Sequence, residues 1–472
     1  MKRFFLIISF SLFLSGCTVG PKYREPDMEI LCDWNCKYTE ELEEEPVDNC
    51  RWWESFNDPL LNSLIERAAS QNLDLHLALA RIMEARLSLK DGQAAMLPHI
   101  DGSAGYSYVT YNQRTLNHLL GIENCRKGMK QRQLNIFEAG FDAEWEIDLF
   151  GMNTHQNQAL EARADSSRES FHDIWVSLSA EIAKTYIELR GLQQQLIILN
   201  SETETQIETR ELTKSLNAGG FDGELILMQV EEELEMLLSQ RPQIEFLIDK
   251  SIHRLSILLG SPPRELFCEL NIPELLPDLP CHRPIGIPSE LLRRRPDIRK
   301  AERDLAAATE EIGVAVAALF PRIVLTGFIG DIAALCGHGS LTGFVSPQLL
   351  FPIFNSKMLK QDVCMNKIKA EQSLIQYQKT VLEALEETEN AIAAFHCEFK
   401  KNESLKQANQ LSQKGYLLNQ QLYQAGFKNY LDVQSAHRSS LSVKKALLQS
   451  QIDLLTDYIV LYKSLGGGWG IF

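Results

Sequence analysis

One stretch of the chain alternates apolar and acidic side chains with a period of two residues. From Phe137 to Leu149 the odd positions are apolar, and the even positions include the carboxylates Glu138, Asp142, Glu144, Glu146 and Asp148. Successive side chains of a β-strand point to opposite faces, so the pattern predicts a strand with one apolar and one acidic face. A soluble antiparallel sheet alternates in a similar way. Five acids without a base, opposite an unbroken apolar face, favour a strand between lipid and a water-filled lumen.

The residues around this strand predict a helix, a β-hairpin and a pair of long helices. We assign them to a first repeat, residues 52–260, with strands at about 100–111 and 136–150 and helices at about 154–217 and 222–259. In the longer helix, apolar residues from Trp175 to Leu199 recur every three or four positions, which is the coiled-coil period. Gly219 and Gly220 break this helix. Pro242 predicts a kink in the helix that follows.

The same order of elements recurs after a proline-rich linker at residues 261–284. Ala94-Ala-Met-Leu-Pro-His-Ile100 matches Ala317-Ala-Leu-Phe-Pro-Arg-Ile323, and Gly220-Phe matches Gly426-Phe. A match that continues through strands and helices indicates an internal repeat. The second repeat spans residues 285–465, with strands at about 322–331 and 341–354, helices at about 357–424 and 430–464, and a tail at 466–472.

The N-terminus has the pattern of an export signal. Lys2 and Arg3 precede an apolar run that ends in Leu14-Ser-Gly-Cys17. This run is too short for a membrane-spanning helix, so we predict a signal peptide at residues 1–16, with Cys17 as the lipidation site. Residues 17–51 form a lipidated extension, and its run of glutamates predicts a solvated segment.

Charge and chemistry exclude several function classes. The formal charge of −16 disfavours a nucleic-acid partner. Local disulfides are possible among Cys32, Cys36 and Cys50, and between Cys268 and Cys281. No second paired Cys or His cluster has the spacing of zinc ligands. The sequence has no His-Glu-x-x-His pair, no nucleophile elbow and no phosphate-binding loop, so we expect no enzyme activity, no metal and no cofactor.

The number of predicted strands has a consequence for assembly. Four amphipathic strands are too few for a transmembrane barrel, since the smallest have about eight. Open sheet edges are not tolerated in lipid. Several copies would therefore share one barrel, and three copies would supply twelve strands; two copies with eight strands also satisfy the arithmetic.

Five motifs spread over the chain resemble those of the TolC-like outer-membrane efflux family, in its lipoprotein branch. They are Cys17-Thr-Val-Gly-Pro-Lys-Tyr23, Trp52-Trp53 with Asp58-Pro-Leu, Trp145-Glu-Ile-Asp-Leu-Phe-Gly151, Arg294-Arg-Pro-Asp-Ile298 and Leu465-Gly-Gly-Gly-Trp469. The resemblance covers nearly the whole chain. It implies an α+β membrane protein: a homotrimer with a 12-stranded β-barrel in the outer membrane, continued by an α-helical coiled-coil tunnel in the periplasm.

The resemblance also implies function and partners. The chain would be a passive exit duct for small toxic compounds, driven by an inner-membrane pump of the resistance-nodulation-division type through a periplasmic adaptor. Two other readings stay open. One is a type I protein secretion duct, and the other is a lipid-anchored coiled-coil scaffold.

Two helix turns, near residues 217–225 and 424–433, would lie at the periplasmic tip of such a tunnel. We expect the adaptor to dock at Gly219, Gly220, Gly426 and Phe427. Closure of a pore needs helices with two packings and a local lock. The gate candidates are Asp222, Glu224 and Asp432. Lys428 stands where the family resemblance implies an acid, so the sign of a gate ring is open.

Overall fold

The computed structural model describes residues 18–28, 34, 36–39, 42, 51–112, 131–219, 224–280, 288, 293–334 and 340–469. The chain divides into two compact units. Unit 1 comprises Met1–Pro26, Ile82–Ser166 and Glu302–Gln376, and it contains the β-sheet. Unit 2 comprises Asp27–Arg81, Ser167–Ala301 and Tyr377–Phe472, and it holds most of the long-helix residues.

Each half of the chain places two strands before two long helices. The first half contains α1 (Pro59–Gln71), α2 (Leu73–Ala95), β1 (His99–Asn112), β2 (Gln131–Ile147), α3 (Met152–Ala218) and α4 (Glu224–Leu258). The second half contains α5 (Pro296–Ala317), β3 (Arg322–Ala334), β4 (Ser340–Leu350), α6 (Ser356–Gln424) and α7 (Tyr430–Ser464). Helices α3 and α6 have 67 and 69 residues, which at a 1.5 Å rise gives roughly 100 Å each. Among the described residues, no helix has both the length and the apolar character needed to cross a bilayer.

The four strands of unit 1 form one antiparallel sheet in the order β1-β2-β3-β4. Its central pair joins the two halves of the chain, because β2 of the first half bonds to β3 of the second. The outer strands, β1 and β4, are the edges of this sheet. Each therefore offers a row of backbone donors and acceptors on its outer side.

Two strands end earlier than the sequence predicts. Strand β2 ends at Ile147, because the Asp148 carboxylate turns back to the next helix and accepts hydrogen bonds from Thr154 N and Oγ1, both at 2.8 Å. Strand β4 ends at Leu350, two residues before Pro352, which has no N–H to donate to a ladder. The predicted bounds at Phe150 and Phe354 were therefore too far along the chain.

Helix α4 continues through Pro242. The residue lies inside the helix Glu224–Leu258 and its side chain is exposed. Proline leaves the carbonyl four residues earlier, at Leu238, without its helical partner. Leu238 is also exposed, so the freed carbonyl belongs to a residue on the water side of the helix, where the helix can continue past a proline.

The core of unit 2 is rich in aromatic side chains. Trp52 stacks on Tyr462 with ring centroids 5.9 Å apart, and Trp53 meets Trp175 edge-on at 6.0 Å. Asp58 caps α1 by accepting from Leu60 N and Leu61 N. The same carboxylate accepts a hydrogen bond from the Tyr186 hydroxyl. The Trp-Trp and Asp-Pro motifs thus tie the start of the first half to the long helices α3 and α7.

The described parts of the N-terminal extension are attached through a few large side chains, whereas its run of glutamates lies outside the described residues, so the solvated segment stays a prediction. In unit 1 Tyr23 packs on Ala162, Ala306 and Ala307. In unit 2 Met28 packs against Ile298, Tyr377, Val381 and Ala384, Trp34 is buried, and Tyr38 meets the His396 ring edge-on. Large side chains placed singly among the charges anchor this segment, and a composition argument overlooks them.

The linker between the halves is tied to α3 by a buried arginine. Arg190 is fully buried and donates from Nη1 to the carbonyl of Ile272 at 2.7 Å and to Gln193, while its Nη2 pairs with Glu274. Nearby, Cys268 is a free thiol, so it does not form the suggested disulfide with Cys281. Cys364 and Cys397 are also free and exposed, whereas Cys17, Cys32, Cys50 and Cys281 lie outside the described residues.

Candidate functional site

The acidic face of the sheet is defined by Glu138, Asp142, Glu144 and Glu146 of β2. The register pairs these residues with Gly105, Asp101 and His99 of β1 and with Ile332, Phe328, Thr326 and Val324 of β3. Asp142 accepts a hydrogen bond from Ser103 Oγ at 2.5 Å. Glu146 accepts one from Arg322 Nε at 2.9 Å, so a base from β3 reaches this face. The side chains of Glu138 and Glu144 are exposed. Asp148 lies beyond the strand end.

On β3 and β4 the same face carries no carboxylate among the described residues; it holds Thr326, Thr342, Ser346 and Gln348 together with one aromatic pair. Phe328 and Phe344 stack with ring centroids 6.1 Å apart. Gly140 and Gly330 face each other across β2 and β3, and an added Cβ on Gly330 would lie 2.6 Å from the Phe328 ring. The two glycines therefore make room for this ring. The alternation of β2 alone did not reveal this aromatic pair.

The opposite face of the sheet, the apolar face, is exposed over all four strands. Tyr106 of β1 packs on Phe137 of β2 with ring centroids 4.9 Å apart. The large exposed side chains of this face are Ile100, Tyr106, Phe137, Phe141, Trp145, Ile329, Leu341, Val345 and Leu349. Asp331, which pairs with Ala139 and Leu341, is an exposed charged residue on this otherwise apolar face. An apolar surface of this extent is unusual on a soluble protein and marks a face covered by lipid or protein.

The second helix turn has well-defined capping. Gly426 adopts a left-handed conformation with φ of 78°, which favours glycine after a helix end. Phe427 N donates to the carbonyl of Leu422, and the Phe427 side chain is 80% exposed. Asn429 caps α7 by accepting from Asp432 N at 3.0 Å. Asp432 is exposed.

At the first turn, Glu224 begins α4 and Gly219 follows α3, and both are exposed. Gly220 and Asp222 lie outside the described residues, as does the lipidation candidate Cys17. Glu224 and Asp432 each lie in the first turn of their helix, where a carboxylate interacts favourably with the helix dipole. This gives both acids a structural role besides any role in closure.

A polar network between the long helices was missed by sequence reasoning. Glu233 of α4 accepts from Arg438 Nε at 2.6 Å and from Gln434 Nε2 at 2.8 Å, both on α7. Glu202 of α3 pairs with Lys445 of α7 at 2.7 Å. The partners are more than 200 residues apart in the sequence, so no local pattern could have identified them.

His437 lies next to this network. It packs against Tyr416 with ring centroids 4.8 Å apart, beside a cavity of about 290 Å³ between α3, α6 and α7. Burial lowers the pKa of His437, and the nearby carboxylates of Glu202 and Glu233 oppose that change. His437 thus has a packing role. In the described ranges, no group of three or more His, Cys, Asp or Glu side chains is arranged to hold a metal ion.

The model of the outer membrane efflux protein family matches residues 64–261 and 287–467, which together cover most of the chain. The chain belongs to the outer membrane efflux protein family. It is 31% identical to nodulation protein T of Rhizobium leguminosarum bv. trifolii, over 98% of this chain and 96% of that protein. It is 30% identical to the probable efflux pump outer membrane protein TtgC of Pseudomonas putida, over 99% and 96% of the two chains.

The fold of the chain also agrees with this family. The solved outer-membrane channel OprN superposes with a TM-score of 0.86 at 32% identity, covering 96% of this chain and 100% of OprN. As a member of the outer membrane efflux protein family, the chain is an outer-membrane component of efflux. Its structure is mostly helical with a small sheet. The predicted family, location and general function are confirmed. The family is one of channels rather than enzymes.

Proposed function

We propose that the chain is the passive exit duct of a tripartite efflux system, in which three copies share a 12-stranded β-barrel continued by a helical tunnel in the periplasm. The observation that carries this proposal is the sheet, which has one exposed apolar face, an opposite face that is acidic along β2, and two open edges. A lipid-anchored scaffold with soluble hairpins has no need for such an apolar surface.

The apolar face fits the hydrocarbon layer of the outer membrane. Its aromatic and aliphatic side chains would lose solvent contact on insertion, and each buried side chain of this size contributes about 1.5–3 kcal/mol. Trp145 is suited to a membrane–water interface, because its ring belongs to the apolar face while its Nε1 donates to the carbonyl of Met96 at 2.9 Å.

The open edges favour closure by further copies of the chain. Edge groups in lipid cost several kcal/mol each when unpaired, so β1 of one copy would bond to β4 of the next. Helix α6 offers a second contact. Its exposed residues Met358, Met365, Ile368 and Ile375 are spaced by seven, three and seven positions, which is a heptad seam. Three copies give twelve strands, as the family resemblance implies.

The acidic face would then line the lumen with Glu138, Asp142, Glu144 and Glu146, and Asp148 would lie at the helical end of the barrel. Rings of carboxylates favour cations. The helix turns with Gly219, Gly220, Gly426 and Phe427 would receive the adaptor, and Asp222, Glu224 and Asp432 would act in closure. The exposed Phe427 is the kind of apolar anchor that a partner helix can cover.

The partners follow from the relatives. Proteins similar to this chain over nearly its whole length are named as outer membrane components of efflux pumps. We propose that this chain works with an inner-membrane pump of the resistance-nodulation-division type and a periplasmic adaptor, exports small toxic compounds, and is lipidated at Cys17. The two halves, residues 52–260 and 285–465, would be copies of one repeat, with a signal peptide at residues 1–16.

Planar bilayers provide the test. The purified, lipidated protein is added to the bilayer, and its mass in detergent is determined in parallel. We expect a trimer that gives discrete, cation-preferring conductance steps. A monomer that never conducts would contradict the duct and favour the scaffold. Deletion of the gene separates the two kinds of duct: sensitivity to small toxic compounds supports efflux, whereas loss of an exported protein alone supports type I secretion.

A further inference from the structure

The first described residues of the chain are held at the corner between β2 and α3. We define the N-terminal strap as residues Thr18–Pro26, all in unit 1. Val19 N donates to the carbonyl of Phe150 at 3.1 Å. Thr18 lies against Gly151, where an added Cβ would meet the Thr18 side chain at 2.9 Å. The strap therefore contacts the corner through both its backbone and its first side chain.

A buried, hydrogen-bonded pair of side chains holds the strap. His155 of α3 and Glu310 of α5 have only 5% and 11% of their side-chain surfaces exposed, and His155 Nδ1 lies 2.5 Å from Glu310 Oε2. The other ring nitrogen, Nε2, lies 3.1 Å from the carbonyl oxygen of Val19. Both neighbours are acceptors when Glu310 is ionised. One imidazole ring therefore reaches Glu310 with one nitrogen and the backbone of the strap with the other.

Two glycines allow the close approach of the three segments. Gly20 has φ of 129°, and a Cβ there would lie 2.8 Å from Gly313 Cα. A Cβ on Gly313 would lie 2.5 Å from His155 Cγ. Neither position tolerates a side chain without movement of the strap or the imidazole. The absence of a side chain at Gly20 and at Gly313 thus lets the strap pack directly against α5 and His155.

Further along the strap, Tyr23 supplies a second attachment. Its hydroxyl donates to Glu302 Oε1 at 2.6 Å, and its ring packs on Ala162, Ala306 and Ala307. Burial, together with the hydrogen bond to Glu302, raises the pKa of the Tyr23 hydroxyl, which therefore stays a donor. Helix α5 thus contacts the strap twice, with Gly313 at Gly20 and with Glu302 at Tyr23.

We propose that His155 and Glu310 form a clasp that holds the start of the strap, and with it the membrane anchor of this protein, at the corner between β2 and α3. Cys17 precedes Thr18, and consecutive Cα atoms are about 3.8 Å apart. The strap, to which the anchor would be joined, therefore begins beside Gly151, four residues after β2 ends at Ile147. Acyl chains attached there would enter lipid where the sheet does. The proposal rests on the proposed lipidation of Cys17.

Hydrogen–deuterium exchange of the lipidated protein in nanodiscs tests the clasp. In the wild type we expect the peptide that contains residues 18–28 to be protected. His155→Ala removes both bonds of the ring, and Glu310→Gln removes the charge. Each change should raise the exchange rate of that peptide by about tenfold or more, while β2 and β3 peptides keep their rates. Glu311→Gln is the matched control, because Glu311 pairs with Arg163 instead of the strap.

Gly20→Ala provides an independent variant that keeps both His155 and Glu310 in the sequence and places a Cβ 2.8 Å from Gly313 Cα, so that the strap has to shift. It should also release the strap peptide. Full exchange of the wild-type strap, or unchanged protection in either His155→Ala or Gly20→Ala, would overturn the clasp. If His155→Ala unfolds the protein, Gly20→Ala alone decides. The mass of the N-terminal peptide reports lipidation separately, so an unmodified Cys17 with a protected strap refutes the anchor and keeps the clasp.

Discussion

At the scale of single residues, the Arg-Arg-Pro-Asp motif acts by capping a helix in unit 2. Arg295 Nη1 donates to the carbonyl of Ser464, the last residue of α7, at 3.0 Å. Its Nη2 bonds to Asp297 at 2.7 Å and to Glu387 at 2.8 Å. One guanidinium thus connects the start of α5, the middle of α6 and the end of α7.

Arg295→Met should therefore destabilise unit 2. The change removes the charged donor of the buried Ser464 carbonyl, which keeps only a 3.3 Å hydrogen bond from Thr388 Oγ1, and the partner of the partly buried Asp297 carboxylate. The loss costs about 1–3 kcal/mol. We expect a lower temperature for the loss of helical circular dichroism. Arg293→Met is the control, because Arg293 is exposed and its substitution should stay within about 0.5 kcal/mol. Equal melting of the two variants would refute the capping role.

A second residue-scale prediction concerns pH. Burial, and then the carboxylates of Glu398 and Asp453, raise the pKa of Asp457 from 3.8 to about 6, although Lys401 and Lys184 oppose this. The native state therefore binds the proton more tightly than the unfolded state. Stability from this group is present below about pH 4 and is lost as pH rises through 6.

Asp457→Asn should remove this loss of stability at neutral pH, because the amide carries no charge. We expect the variant to melt at a higher temperature than the wild type at pH 7, with the difference shrinking towards pH 4. Glu245→Gln, which removes an exposed carboxylate on α4, separates this effect from a general change of charge. A difference between Asp457→Asn and wild type that is constant with pH would show that the buried carboxylate does not titrate in this range.

At the scale of helices, two glycines differ in what surrounds them: one lies at a close contact between helices, and the other faces open space. Gly191 of α3 faces Ile452 of α7, and an added Cβ would lie 2.3 Å from Ile452 Cδ1. Gly191→Ala should therefore destabilise by about 1–3 kcal/mol through overpacking. Gly415 of α6 has nothing within 4 Å of such a Cβ, so Gly415→Ala should stabilise by about 0.5–1 kcal/mol. Thermal melts with shifts of the same sign would contradict the close approach of α3 and α7.

Local pattern predicted the elements of this fold, and specific side-chain contacts, which no periodicity encodes, determined what it missed. The alternation around Phe141 and the apolar spacing from Trp175 onwards are properties of neighbouring residues, so sequence alone could identify strand and helix. Asp148 ended β2 early because of a hydrogen bond to Thr154. The clasp of His155 and Glu310 joins residues 155 positions apart, and no periodicity encodes such a pair.

At the scale of the whole molecule, the acidic face should set the ion preference of the duct. We expect Glu138→Gln with Glu144→Gln to lower the cation-to-anion permeability ratio in planar bilayers, because both side chains are exposed on that face. Glu245→Gln with Glu211→Gln removes the same charge from exposed helix positions and should leave the ratio nearly unchanged. Similar ratios for the two double variants would exclude the acidic face as the lining of the lumen.

Closure of the duct is a property of the copies together, and the helix turns are where we expect it. If the carboxylates of Asp222 and Asp432 lock the turns of neighbouring copies, Asp222→Ala with Asp432→Ala should raise single-channel conductance several-fold. The double variant keeps the Asn429 cap of α7, which bonds to the backbone of Asp432 rather than to its side chain, so the helix end should stay formed. Glu211→Ala, near the end of α3 and paired with Arg210, is the matched control.

Unchanged conductance of the double variant would remove both acids from the gate. A rise that Lys428→Ala reproduces would indicate that the lock is a pairing between these acids and Lys428, which would explain why a base stands at this turn.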